Sequence, residues 1–316
     1  MSQLPPPPPF GPWVSDDAKA MFEAQVRGAA APPGGVEVLR AHYRRFNDER
    51  LAVADRLFAT RREHAAIAGV GVDIVRQADA SKDYSPHPVL ICLHGGGFMW
   101  GAGSGALLEA VPVAAVSGIE VVAVDYRMAP EHRFPAATED VLAVYRALRA
   151  DPNVSAIGLF GCSAGAALTA QVTARLIAEG EPLPGAICML HAAGVDVGGD
   201  SVGTMALLNG VAPAATVDGL DGLPYFNGAD PMDPLVFPGN HPDVLAKFPP
   251  SLLITGTRDF AAGSVSVMHR RLLAAGAEAQ LVVFDGMWHA HHVAVDLPES
   301  AETFALMSRF FTSRLK

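Results

Sequence analysis

The chain of 316 residues carries 33 acidic and 23 basic side chains, for a formal net charge of −10; this argues against a nucleic-acid partner, because an acidic surface repels phosphate groups. Its three cysteines lie far apart without metal-ligand spacing, so they indicate neither a disulfide framework nor a metal site and suit a reducing cytoplasm. No uninterrupted apolar run reaches the roughly eighteen residues of a membrane-spanning helix, and we expect a cytoplasmic protein without a membrane partner.

The first 69 residues precede the first apolar strand pattern. Residues 1–12 are rich in proline, with a run of five prolines, and lack the positive leader and apolar core of a secretory signal. Proline runs are extended, so this stretch is expected to be either disordered or laid on the protein. Helix-forming segments follow over residues 16–28 and 35–60.

From residue 70 onward, short apolar runs alternate with helix-forming segments. This alternation predicts an α/β domain with a mostly parallel sheet covered by helices on both faces. A segment rich in Gly, Pro and Asp over residues 191–248 divides the domain into two parts, 70–190 and 249–316, and inserts at strand ends are where loops reach a ligand in such sheets. The predicted strands cover residues 70–75, 88–93, 119–124, 156–160, 185–190, 251–255 and 280–284.

Three glycines follow the second of these strands, in the segment His94–Phe98 with the sequence HGGGF. Because glycine has no side chain, the backbone N–H groups of this loop can approach a ligand closely. Such a loop suits an oxyanion hole, where fixed N–H donors meet the negative charge that grows on a carbonyl oxygen under attack. The alternative is a tight turn after a buried strand. Acyl transfer is the first hypothesis, with Gly95 and Gly96 as donors.

Two segments match the nucleophile motif G-x-S-x-G, one around Ser163 and one around Ser201. The motif has mechanical meaning only where a strand turns sharply into a helix. Ser163 meets this condition, since it lies between the apolar run 156–160 and the helix-forming run 166–178. Ser201 follows a stretch broken by glycines and is predicted to be a loop serine. The N–H group of Ala164 would then join the oxyanion hole.

A serine nucleophile needs a histidine to take its proton and a carboxylate to orient the imidazole, in the chain order Ser, acid, His. Asp259 lies just past the next-to-last predicted strand, and His289 lies in the short loop after the last one. Asp285 competes for the role of the acid, but it is expected to shape its own turn. At this stage His291 and His292 remain alternatives to His289.

Two further segments carry a family resemblance. Residues 125–137, DYRMAPEHRFPAA, resemble the block Y-R-x-A-P-E-H-x-F-P-A-A of the bacterial hormone-sensitive-lipase-like carboxylesterases, which belong to the α/β-hydrolase superfamily. Gly286–His289 is similar to their G-M-x-H, and the HGGG and G-x-S-x-G motifs complete the resemblance. It implies an α/β-hydrolase fold, His289 as the catalytic histidine, a homodimer, and a cap built from residues 1–69 and 191–248.

The chain departs from the family pattern at two positions. Cys162 stands before the nucleophile, where many members carry an acidic residue, and this indicates a different subgroup. The segment after the acid reads DFAAG over residues 259–263, in place of D-P-L-x-D. The assignment of Asp259 therefore rests on its position after a strand.

The sequence predicts a serine carboxylesterase that hydrolyses short- to medium-chain carboxylic esters through an acyl-enzyme intermediate, without a cofactor or a metal ion. The alternatives are an amidase or arylformamidase with the same triad, and a non-catalytic small-molecule receptor, because fold does not determine function. The predicted roles are Ser163 as nucleophile, His289 as general base and acid, Asp259 as the orienting carboxylate, and the N–H groups of Gly95, Gly96 and Ala164 as the oxyanion hole.

Overall fold

A computed structural model describes residues 8–28, 33–79, 86–208, 219 and 222–315. Most of the predicted proline-rich stretch, residues 1–7, lies outside the described residues. In chain order the helices and strands are α1 (Asp16–Gly28), α2 (Val36–Leu57), β1 (Thr60–Ile67), β2 (Val70–Gln77), β3 (His87–Leu93), α3 (Ser104–Ser117), β4 (Glu120–Val124), α4 (Ala136–Ala150), β5 (Val154–Cys162), α5 (Ala164–Glu179), β6 (Ala186–Leu190), α6 (Asp200–Leu208), α7 (Pro242–Leu245), β7 (Ser251–Arg258), α8 (Ala262–Ala274), β8 (Ala279–Trp288) and α9 (Pro298–Arg314).

The strands form one eight-stranded sheet in the order β1-β2-β4-β3-β5-β6-β7-β8. Strand β2 runs antiparallel to both of its neighbours, and the remaining neighbouring pairs are parallel. The predicted α/β fold with a mostly parallel sheet is therefore confirmed. Because parallel strands share one direction, the loops after β3, β5, β6, β7 and β8 meet at the same edge of the sheet.

Apolar cores cover both faces of the sheet, and β3 shows the reason. Its residues alternate between two buried clusters: Val89 and Ile91 belong to the cluster that contains residues of α4, α5 and α8, whereas Leu90 and Cys92 belong to the one that contains residues of α3 and α9. A strand buried on both faces reads as a continuous apolar run rather than an alternating one. This explains why the central strands were recognisable from sequence.

The N-terminal prediction needs one correction. The second helix ends at Leu57, and residues Thr60–Ile67 form β1, which pairs antiparallel with β2 at the edge of the sheet. The predicted cap segment 1–69 therefore contains a strand of the central sheet. This strand was missed because its sequence, TRREHAAI, is largely polar and partly exposed, and an edge strand needs no continuous apolar run.

Helix α2 is attached to the loop that follows β3. The guanidinium group of Arg40 donates hydrogen bonds to the carbonyl oxygens of Met99 at 2.8 Å and Ala129 at 2.9 Å, and it pairs with Glu131 at 2.7 Å. Charge-assisted hydrogen bonds of this kind are stronger than neutral ones.

Within the described ranges, no helix combines the length and the apolarity needed to cross a membrane.

Candidate active site

Ser163 lies at a strained turn between β5 and α5. Its backbone has φ 56° and ψ −121°, a conformation that residues with a side chain rarely adopt. A Cβ atom on Gly161 would lie 2.3 Å from the carbonyl oxygen of Leu93, and one on Gly165 would lie 1.7 Å from the same atom. Only glycine fits at either position, so the turn packs tightly against the end of β3 and presents Ser163 at the edge of the sheet.

The three side chains predicted to act together form one hydrogen-bonded chain. His289 Nε2 lies 2.9 Å from Ser163 Oγ, and His289 Nδ1 lies 2.8 Å from Asp259 Oδ1. The carboxylate accepts from Nδ1–H, which leaves Nε2 as an acceptor for the serine hydroxyl proton. Asp259 is buried, whereas the His289 side chain is 20% exposed. These hydrogen bonds can therefore move a proton from Ser163 to the His289 imidazole, which Asp259 holds in one tautomer.

Asp259 accepts three further hydrogen bonds, and one of them comes from a residue that sequence reasoning missed. Oδ2 accepts from Thr255 Oγ1 at 2.7 Å and from His191 Nδ1 at 2.8 Å, and Oδ1 accepts from the backbone N–H of Ala261 at 2.9 Å. His191 directly follows β6 and has a positive φ of 58°. His191 could have been found in the sequence as a histidine at the carboxyl end of β6, because β6 lies next to β7, the strand that Asp259 follows.

Burial and charge oppose each other in this cluster. Burial alone would raise the pKa of Asp259, but the neighbouring imidazoles of His289 and His191 hold that pKa below its usual value. Burial lowers the pKa of His191 to about 4, although the charge of Asp259 acts in the opposite direction. Asp259 is therefore a carboxylate and His191 a neutral donor near neutral pH.

The competing residues occupy other positions. Ser201 lies within α6, where its hydroxyl donates to the carbonyl oxygen of Phe260 at 2.7 Å. The prediction of a loop serine was therefore wrong, because the glycines around Ser201 concealed a short helix. Asp285 is exposed and accepts from Thr257 Oγ1 at 3.3 Å. His291 is buried, with Nε2 3.1 Å from Thr303 Oγ1.

One of the three predicted oxyanion donors in and beside the glycine loop has a protein partner. The N–H group of Gly95 donates to Glu109 Oε1 at 3.3 Å and is therefore turned toward α3. In the part of the chain that the structure describes, the N–H groups of Gly96, Gly97 and Ala164 donate to no protein acceptor. Gly97 is therefore a further candidate donor beside the predicted Gly95, Gly96 and Ala164. Peptide orientation in a glycine loop is set by distant partners, here a carboxylate on α3.

The segment 125–137 is hydrogen-bonded to the glycine loop. Tyr126 donates its hydroxyl hydrogen to the carbonyl oxygen of His94 at 2.6 Å, and the N–H of Ala129 donates to the carbonyl oxygen of Phe98 at 2.8 Å. Both contacts engage carbonyl groups of the loop and leave its N–H groups to other partners. The segment 125–137, which resembles the family block, therefore has a structural role, because it fixes the loop that faces Ser163.

A cavity of about 540 Å³ opens beside Ser163 and His289. Its walls come from the ends of the strands, from α2 and from the insert after β6. On one side Tyr43 of α2 stacks on Trp100, with ring centroids 4.6 Å apart, and on another Phe260 stacks on His289 at 4.1 Å. The volume lies within the range of small-molecule sites, roughly 300–1,000 Å³.

Comparison with known proteins agrees with this fold. The family model described as the alpha/beta hydrolase fold matches residues 90–293. An acetyl-hydrolase of Streptomyces hygroscopicus is 30% identical over 226 residues, which cover 70% of this chain and 74% of the relative. An acetyl esterase of Salmonella agona (strain SL483) is 27% identical over 317 residues, covering 96% and 95%.

Solved structures are similar over nearly the whole length. An esterase from the bacterial hormone-sensitive lipase family superposes with a TM-score of 0.83 at 26% identity, covering 96% of this chain and 99% of that chain. Esterase E25 gives a TM-score of 0.81 at 29% identity, covering 100% and 99%. The chain belongs to the α/β-hydrolase fold family. Within it, the protein is an esterase of the hormone-sensitive-lipase-like group, and hence a carboxylic ester hydrolase.

Proposed function

We propose that the protein hydrolyses short- to medium-chain carboxylic esters through an acyl-enzyme intermediate on Ser163. The observation that carries this proposal is the hydrogen-bonded chain from Asp259 through His289 to Ser163, with its serine end at the wall of the cavity. Nucleophile and base lie within hydrogen-bond reach, and the base is oriented by a third group.

In the acylation step, Ser163 Oγ attacks the ester carbonyl carbon while His289 Nε2 takes the hydroxyl proton. The carbonyl oxygen gains a negative charge, which the free N–H groups of Gly96, Gly97 and Ala164 would receive. The imidazolium then gives its proton to the departing alkoxide, and the alcohol leaves. Asp259 stabilises the imidazolium without taking its proton.

In the deacylation step, His289 takes a proton from a water molecule, whose oxygen attacks the acyl carbon. The imidazolium then gives this proton to Ser163 Oγ as the acyl–serine bond breaks, and the carboxylic acid leaves. The same N–H groups receive the second oxyanion. Both steps require Asp259 to stay ionised and its carboxylate to keep one orientation. Its hydrogen bonds from Thr255, His191 and Ala261 support that requirement, because each of them stabilises the carboxylate form.

The chain-length range is argued from the cavity and its cover. We propose that α2 and the insert after β6 together act as a cap, since residues of both line the cavity: His42, Tyr43, Phe46 and Asn47 from α2, and Val197, Gly219 and Leu223 from the insert. The similar proteins in two bacteria are named as acting on acetyl groups. A cavity of about 540 Å³ leaves room for a longer acyl chain as well.

The test is hydrolysis of p-nitrophenyl esters from acetate to long acyl chains by the wild type, Ser163→Ala and Ser201→Ala. We expect turnover that peaks at short to medium chains, a loss of at least about a thousandfold in kcat for Ser163→Ala, and little change for Ser201→Ala. Mass spectrometry after rapid quenching should detect the acylated wild-type chain. Equal losses in both variants, or turnover without an acylated chain, would overturn the proposal.

A further inference from the structure

A buried cluster of three potential metal ligands lies directly behind the nucleophile turn. It consists of Glu109 on α3, Cys162 at the end of β5 and His292 in the 3₁₀ turn His291–Val293. One ligand atom from each of the three lies within 4.8 Å of the other two. The residues are 3%, 2% and 1% exposed. None of the three forms a bond or moves a proton in the proposed ester chemistry, and Glu109 contributes to it only by accepting from Gly95 of the glycine loop.

Three polar atoms of this cluster lack a hydrogen-bond partner in the described ranges. Glu109 Oε2 and both ring nitrogens of His292 are buried without a hydrogen bond, and the distance from His292 Nε2 to Glu109 Oε2 is 3.9 Å. Burial of such groups is costly unless something pairs with them. Glu109 Oε1, by contrast, accepts from Gly95, so the carboxylate is already oriented with Oε2 toward the cluster.

We propose that Glu109, Cys162 and His292 form a binding site for a divalent transition-metal ion, with Zn²⁺ as the ion that fits best. Thiolate and imidazole ligands favour zinc and disfavour Mg²⁺ and Ca²⁺, which take oxygen ligands. Bonds of about 2.0–2.3 Å around a tetrahedral ion separate its ligand atoms by roughly 3.4 Å. The nitrogen–oxygen distance therefore has to shorten by only about half an ångström.

An ion has a route to these residues, because Glu109 and Cys162 also line the cavity beside Ser163. Binding replaces the S–H bond of Cys162 by a sulfur–metal bond, and the proton passes to solvent, with no change of oxidation state. The three ligands belong to α3, the end of β5 and the loop that follows β8. The ion would therefore join three separate parts of the fold and increase stability, as structural zinc does.

Cobalt(II) is the sharpest probe, because it substitutes for zinc and gives a thiolate-to-metal charge-transfer band. We expect the wild type to bind one Co²⁺ per chain with this band, Zn²⁺ to displace it, and Zn²⁺ to raise the melting temperature. Cys162→Ser should lose the band, and His292→Gln should weaken binding by at least about tenfold. Cys188→Ser removes a different buried cysteine and should keep the band.

Ser163→Ala should bind Co²⁺ like the wild type, so the result does not depend on whether the esterase proposal holds. Circular dichroism shows whether each variant is folded. If Cys162→Ser does not fold, the binding by His292→Gln tests the proposal in its place. The proposal is overturned if the folded wild type gives no thiolate band. It is also overturned by binding without that band, because the other cluster of ligand atoms within the described ranges, His191, Asp259 and His289, contains no thiol.

Discussion

His191 Nδ1 lies 2.8 Å from Asp259 Oδ2, the same distance that separates the other oxygen of this carboxylate from His289. One buried acid therefore receives two imidazole donors, of which only His289 also contacts the serine. His191 is a positioning residue in the proposed mechanism, since it acts on the serine only through Asp259.

His191→Phe should lower kcat for p-nitrophenyl butyrate by about tenfold, the equivalent of a hydrogen bond to a charged group, and leave KM within about a factor of two. The phenyl ring retains the volume but removes the donor. His191→Asn retains an N–H donor and should recover most of the rate. Steady-state kinetics checks both variants, and equal losses in the two would mean that packing, rather than the hydrogen bond, matters.

Stability should fall when the pH drops from 6.5 toward 4. Burial lowers the pKa of folded His191 to about 4, so in this window the unfolded chain binds a proton that the native protein does not. The expected loss is on the order of 3 kcal/mol. Urea unfolding between pH 7 and pH 4.5 measures it. His191→Asn should show a shallower dependence, whereas His132→Gln, at an exposed position, should follow the wild type.

The two G-x-S-x-G segments offer a matched pair of glycine substitutions. Gly165→Ala places a Cβ atom 1.7 Å from the carbonyl oxygen of Leu93 and should destabilise the fold by about 3 kcal/mol or more. Gly203→Ala lies in α6 with nothing within 4 Å and should be neutral or stabilising by up to about 1 kcal/mol. Thermal unfolding of both variants measures the difference in stability, and similar melting temperatures would contradict the described packing at the turn.

Arg40→Gln should reduce kcat/KM by about tenfold, because it removes charged donors from the carbonyl oxygens of Met99 and Ala129 and frees α2 from the glycine loop. Arg44→Gln alters an exposed arginine on the same helix and provides the control. The measurement is kcat/KM for esters of increasing chain length. An unchanged value for Arg40→Gln would show that the loop holds its geometry without α2.

The central strands and the three residues of the hydrogen-bonded chain could be predicted because each follows a local pattern. Strands buried on both faces read as apolar runs, and Ser163, Asp259 and His289 lie just past the ends of such runs. β1 could not be recognised, since an edge strand with one exposed side carries polar residues. His191 had no motif around it, and only the neighbouring positions of β6 and β7 bring it to Asp259.

The oxyanion hole shows another limit. The three glycines indicate that backbone N–H groups are accessible, but they do not determine which way each peptide group faces. That direction depends on Glu109, which lies on the helix after the loop and accepts from Gly95. Such a contact is tertiary, so the motif alone predicts the loop and does not decide which of its N–H groups are donors.

The contact of Gly161 and Gly165 with Leu93 also bears on protein design. Leu93 belongs to a different strand, and its carbonyl oxygen occupies the space that a side chain at either glycine would need. A designer who grafts the five-residue motif onto another scaffold would therefore have to supply a neighbouring parallel strand of the right length and register. Without that strand, the grafted serine would have no reason to keep a positive φ, and its hydroxyl would be free to turn away from the histidine.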